Sequence, residues 1–139
     1  MASEAPAGGP GGPGGVGPGG GRSVLITGCS SGIGYHVAAG LRQRGWRVLA
    51  SARAMDDVAR LEAEGFETLR LDVAEAESVA SAVGEALDAT GGRLDAVFNN
   101  AGYGQPGAVE DLRPEVLERQ LQTNLFGAHD VIRRVLPAM

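Results

Sequence analysis

Ser23-Val24-Leu25-Ile26-Thr27-Gly28-Cys29-Ser30-Ser31-Gly32-Ile33-Gly34 is the stretch on which the reading turns. A short apolar run over 23–27 meets glycines at 28, 32 and 34. Ile33, Val37, Ala38 and Leu41 then recur at helical spacing until Gly45. The pattern predicts a strand, a glycine-rich turn, and a helix over 32–44 that begins inside the turn.

Downstream the same alternation repeats. Residues 46–52 (WRVLASA) read as a second strand, and 56–64 as a charged helix ended by Gly65. Residues 66–71 (FETLRL) alternate as a third strand, and 74–89 form a helix closed by Gly91-Gly92. Residues 94–99 (LDAVFN) make a fourth strand, and a last helix starts at Pro114, a favoured first position, and runs to about Leu136. Strands alternating with helices imply βαβ units and a parallel sheet. The first and fourth strands are nearly continuous apolar runs, as expected when both faces are covered. The fold class is therefore α/β, a doubly wound parallel sheet of Rossmann type, with ligands expected at the carboxyl ends of the strands.

Upstream, residues 1–21 are of another kind. They hold ten of the 23 glycines, four of the seven prolines and one charged side chain, Glu4. Nothing there offsets backbone ordering, so a disordered tail is expected over 1–21, with one domain over 22–139. Glycine recurs every third position from Gly8 to Gly20, but five triplets with few prolines are too short for a triple helix. There is no basic start and no apolar stretch of signal-peptide kind, which points to a cytoplasmic location.

Composition excludes several classes. The 139 residues carry 12 basic and 17 acidic side chains, a net charge of −5, which argues against a nucleic-acid or anionic-membrane surface. One Cys excludes a disulfide framework and a Cys-rich zinc site, so no metal centre is expected. No apolar run approaches the ~20 residues of a membrane span. The sequence has no Lys, which removes a Walker phosphate loop and any Schiff-base chemistry.

The loop itself is G-x-x-x-G-x-G rather than G-x-G-x-x-G, but the physics is shared. Gly28 allows the tight turn, Gly32 lets backbone approach a pyrophosphate, and Gly34 lets the helix pack on the strand. The helix start offers free N–H groups and the positive end of its dipole. Cys29 lacks a local His or Asp and reads as a small residue that fits. Eighteen residues after Gly34, where an NAD site carries an acid for the ribose 2′-hydroxyl, stand Ala52 and then Arg53. A missing carboxylate and an available guanidinium favour the 2′-phosphate of NADP(H) over NAD(H); the other reading of Arg53 is a solvated surface side chain. Asp72, with Glu75 three residues on, fits a helix-capping box, compatible with a ligand contact. Asn124 shares a stripe with Leu117, Leu121, Leu125, Ala128, Ile132 and Val135. A buried amide there needs partners, so it either satisfies a helix distortion or holds a water at the site. His36 and His129 have no matching acid or nucleophile and read as structural.

Taken together, Thr27–Gly34, Leu71-Asp72-Val73, Phe98-Asn99-Asn100-Ala101-Gly102-Tyr103-Gly104 and Thr123-Asn124-Leu125-Phe126-Gly127 resemble the short-chain dehydrogenases/reductases, in order and spacing, over residues 22–139. The nearest likeness is to the branch acting on aldehydes, retinoids or hydroxysteroids, usually with NADP. The resemblance implies that Gly28, Ser30, Ser31, Gly32, Ile33 and Gly34 line the cofactor phosphates and ribose. The place of Ser31 is basic in some NADP-using members. Arg53 meets the 2′-phosphate, and Asp72 and Val73 border the adenine. Asn99, Ala101 and Gly102 lie beside the riboses, while Asn100 braces the sheet or simply satisfies buried backbone groups. Asn124 matches the Asn of the family's Asn-Ser-Tyr-Lys catalytic set, which supports a proton relay.

The family's chemistry is hydride transfer between nicotinamide and a carbonyl or alcohol carbon, with Tyr as acid or base, Lys four residues later and a Ser on the substrate oxygen. Here Tyr35 and Tyr103 are followed four residues on by Ala39 and Gly107. The catalytic Ser and Tyr-x-x-x-Lys belong to the family's fifth strand and next helix, beyond Leu136-Pro137-Ala138-Met139. The expectation is a piece of a longer, homo-oligomeric enzyme with a small carbonyl or alcohol substrate. The alternative is a non-catalytic NADP-binding module or sensor. A methyltransferase on a similar sheet does not predict the Asn-Asn-Ala-Gly segment.

Overall fold

The structure is a computed structural model that describes residues 21–139. The tail expected over 1–21 falls, but for Gly21, outside the described residues. Four parallel strands, β1 (Ser23–Ile26), β2 (Arg47–Ala52), β3 (Glu67–Arg70) and β4 (Ala96–Phe98), lie in the order β3-β2-β1-β4. Leu25 pairs with Leu49 on one side and Val97 on the other, so the chain reverses its direction of travel across the sheet at β1.

Alternation along the strands sorts side chains to two faces. Val24, Ile26, Val48, Ala50 and Ala52 point to one face, under α1 (Gly32–Gln43) and α2 (Met55–Ala63). Leu25, Leu49 and Leu69 point to the other, under α3 (Ala76–Ala89) and α5 (Ala128–Val135). Two apolar layers around one parallel sheet are the doubly wound architecture the spacing predicts.

Three expectations change. β1 is buried throughout, but β4 is only half-buried, because among the described residues β1 is its one strand neighbour. The last helix is not continuous: α4 (Pro114–Leu121) passes into a π-helical turn over Gln122–Gly127 before α5. The stripe assigned to its core face is largely exposed, with Leu117 and Leu125 each at 54% exposure, and Val131 and Val135 are the residues fully buried. No helix among the described residues is long and apolar enough to cross a membrane.

Candidate functional site

The glycine loop is built against the loop that follows β4. Thr27, buried at the end of β1, accepts hydrogen bonds on Oγ1 from the backbone N–H groups of Asn100 (3.0 Å) and Ala101 (2.9 Å). Asn100 Nδ2 donates back to the carbonyls of Thr27 (3.0 Å) and Gly28 (2.9 Å). Asn100 therefore does what buried polar backbone demands, and stitches two strand ends together. Gly28 has φ +72°, and a Cβ there would lie 2.9 Å from the Ala101 Cα. A Cβ at Gly34 would strike the Gly28 carbonyl oxygen and come within 2.5 Å of Asn100 Nδ2. Gly32 is different: φ is +60°, and nothing stands within 4 Å of where a Cβ would be. Its conformation excludes most side chains while the space above it stays open.

β2 ties in from the other side. The Cys29 N–H donates to the Ser51 carbonyl (2.7 Å), and Ser51 Oγ donates to the Ile26 carbonyl (3.0 Å). Cys29 is fully buried, and burial pushes its thiol up to about 11, partly offset by a backbone hydrogen bond at Ser51. It is held as a thiol and offers no nucleophile.

Above these strand ends lies a cleft of about 540 Å³. Gly28, Ser30, Ser31, Ile33, Arg53, Asp72, Val73, Ala101 and Gly102 line it, and Gly32, Gly34 and Asn99 do not. Ser31 occupies the N-cap of α1 in extended conformation without a side-chain capping bond, so the first-turn donors of α1 remain free of one. Arg53 is exposed and makes no ion pair with any described residue. Asn99 donates weakly from Nδ2 to the Ala128 carbonyl (3.5 Å), and its buried Oδ1 has no partner among the described residues.

Two expectations about side chains are corrected here. Asp72 is not a helix cap: α3 starts at Ala76 with Glu75 at its N-cap, and Asp72 Oδ1 accepts from the Ala74 N–H (3.0 Å), closing an Asx turn. The Asp72 N–H is taken by Ser78 Oγ at 3.0 Å. Asn124 is not buried but exposed, within the π turn. Its amide reads both backbone groups of one residue, accepting from the Tyr103 N–H (3.0 Å) and donating to the Tyr103 carbonyl (2.7 Å). The amide thus satisfies backbone of the loop after β4 rather than backbone freed in its own helix.

Ala54, Asp57, Leu71, Asn100, Tyr103 and Thr123 also line the cleft and were not singled out as ligand contacts. Leu71, Tyr103 and Thr123 stand inside the quoted motifs, and that membership is their signal. Asp57 gave none beyond its place in a charged helix. A wider apolar groove of about 660 Å³ follows the outer face of α1 past Gly32, His36 and Leu41. The cleft is the better site, because polar groups from several elements converge there. It offers backbone donors, one unpaired guanidinium and two carboxylates, Asp57 and Asp72.

A profile of the short chain dehydrogenase family matches residues 22–139. The chain belongs to the short-chain dehydrogenase family. It is 44% identical over 118 residues to an uncharacterized oxidoreductase, YbbO, of Escherichia coli K12, covering 85% of this chain and 44% of that protein. It is 38% identical over 128 residues to human retinol dehydrogenase 8, covering 85% of this chain and 40% of the relative. Among solved structures, a 3-ketoacyl-(acyl-carrier-protein) reductase from Brucella melitensis complexed with NADH superposes with a TM-score of 0.79 at 30% identity, over 85% of this chain and 50% of that one. The chain thus spans half or less of the length of these proteins, and it shares their Rossmann-type sheet.

Proposed function

We propose that these residues form the NADP(H)-binding half of an oxidoreductase that transfers hydride between nicotinamide and a carbonyl or alcohol carbon. The observation that carries this reading is the convergence of Gly28, Ser30, Ser31, Ile33, Arg53, Asp72 and Ala101 on one cleft, with the Arg53 guanidinium left unpaired there. The fit to a dinucleotide is physical. Gly32 leaves open space where a Cβ would intrude, the first turn of α1 lacks a side-chain cap, and an unpaired arginine suits a 2′-phosphate. The nicotinamide supplies the hydride acceptor or donor when bound.

This chain's own residues divide the remaining work. Gly28, Ser30, Ser31, Gly32, Ile33 and Gly34 shape the phosphate and ribose floor. Arg53 selects the 2′-phosphate, Asp72 and Val73 border the adenine, and Asn99, Ala101 and Gly102 flank the riboses. Asn124, fixed on the Tyr103 backbone, is the catalytic residue of this half, where it supports a proton relay. With no Lys in the sequence, the 139 residues bind cofactor without turnover by themselves. A small aldehyde, retinoid or hydroxysteroid-like substrate is supported by the relative named retinol dehydrogenase 8. Homo-oligomeric assembly is supported by the exposed Leu117, Leu121, Leu125 and Ile132.

The reading is tested at Arg53. Arg53→Glu places a carboxylate where the 2′-phosphate is expected, so affinity for NADPH falls by tenfold or more while NADH binds as well or better. An unchanged NADPH/NADH affinity ratio, by fluorescence titration, would make Arg53 a surface side chain only.

A further inference from the structure

A carboxylate stands in the cleft that the end of β2 does not announce. Ala52 occupies the place of the acid that favours NAD, but Asp57, in the first turn of α2, lines the same cleft as Arg53. Left free, Asp57 would repel a 2′-phosphate or draw the Arg53 guanidinium to itself. The structure shows what it does instead. Arg60, one turn further along α2, donates from Nη2 to Asp57 Oδ1 (3.2 Å) and to the Ser30 carbonyl (2.5 Å), and from Nη1 to Glu64 Oε1 (3.1 Å).

We propose, resting on the NADP(H) reading above, that Arg60 is a positioning residue that sets cofactor selectivity: it holds the Asp57 carboxylate away from Arg53 and locks the Ser30–Ser31 peptide of the glycine loop.

Arg60 is itself anchored. Glu64 Oε2 accepts from the Tyr35 hydroxyl (2.7 Å), and Arg42 Nη1 donates to the Glu64 carbonyl (3.1 Å), so the far end of the clamp is fixed to α1. The two arginines near the cleft therefore have opposite conditions. Arg60 has its donors committed to three partners, and Arg53 has none. The rigid guanidinium fork is what allows one side chain to serve Asp57, Glu64 and a carbonyl together.

The bond to Ser30 has a second consequence. In a planar trans peptide the carbonyl of Ser30 and the N–H of Ser31 point in opposite directions. With the carbonyl turned to Arg60, the N–H is turned away from it. A flipped peptide would exchange a donor for an acceptor at the N-cap of α1, where an anionic ligand needs donors.

Exposed ion pairs contribute little to global stability, so the clamp is to be read in selectivity rather than in melting. NADPH and NADH are titrated by nicotinamide fluorescence against the full chain, Arg60→Gln, and the double variant Asp57→Asn with Arg60→Gln, with circular dichroism as the check on folding. Arg60→Gln is expected to lower the NADPH/NADH affinity ratio by about fivefold. The double variant is expected to return the ratio to near the parental value, leaving any loss common to both nucleotides as the contribution of the Ser30 peptide. An unchanged ratio in Arg60→Gln, or a fall that Asp57→Asn does not reverse, overturns the inference alone. A parent chain that binds neither nucleotide overturns the reading of the cleft, and this inference with it.

Discussion

At the scale of single residues, the cleft is assembled by what small side chains permit and what buried polar groups require. Gly28, Gly34 and Asn100 interlock through the carbonyl of Gly28, and each would be displaced by an ordinary substitution at its neighbour. Cys29, inside the same loop, is packed rather than reactive. Its thiol is raised from 9.0 in the unfolded chain to about 11 by burial, which fixes the sign of a pH effect. Below pH 9 both states hold the proton and Cys29 adds no pH dependence. Between pH 9 and 11 the unfolded chain ionises first, so folded-state stability falls, by roughly 2–3 kcal/mol at the upper end. Urea unfolding across this window should show that slope in the parent chain and a shallower one in Cys29→Ala, where Tyr35, raised by its bond to Glu64, still titrates. The thiol should also resist alkylation at neutral pH.

At the scale of elements, the informative piece is the π turn between α4 and α5. A π turn holds an extra residue per turn, so helical faces before and after it fall out of phase. This is why the stripe counted at 3.6-residue spacing through Leu117, Leu121, Leu125 and Ile132 does not face the core. Of the counted stripe Val135 is buried, and Gly127 and Val131, which the count passed over, complete the buried face. Gly127 is set so close to the loop after β3 that a Cβ would strike the Val73 carbonyl oxygen. Gly127→Ala should therefore cost about 1–3 kcal/mol in urea unfolding, as overpacking does. Gly84→Ala, on the open face of α3 where nothing stands within 4 Å, should instead gain up to about 1 kcal/mol. Equal effects at the two positions would remove the close approach from the account.

At the scale of the whole molecule, β/α alternation and the glycine loop were legible because both are local: each is written in the spacing of a dozen residues. The doubly wound parallel sheet and its two apolar layers followed from it, while the order β3-β2-β1-β4 is supplied by the structure. What was not legible depends on contacts across the chain. Asp72 looked like a cap from its spacing to Glu75, but Ser78 competes for its N–H and an Asx turn wins. Asp57 looked like one more helix charge until α2 brought it to the wall beside Arg53. Asn124 looked buried until the π turn rotated it onto the Tyr103 backbone. The half-buried β4 depends likewise on how many strands flank it, which its own composition does not record.

The central claim is that the cleft at the strand ends holds NADP(H) through its phosphates. The most direct measurement is a titration of the purified 139-residue chain with NADPH, followed by nicotinamide fluorescence and then challenged with 2′-phosphoadenosine. The account expects saturable binding at one site, displaced by the 2′-phosphorylated nucleoside far better than by adenosine. No saturable binding, or displacement by adenosine and 2′-phosphoadenosine alike, would contradict it.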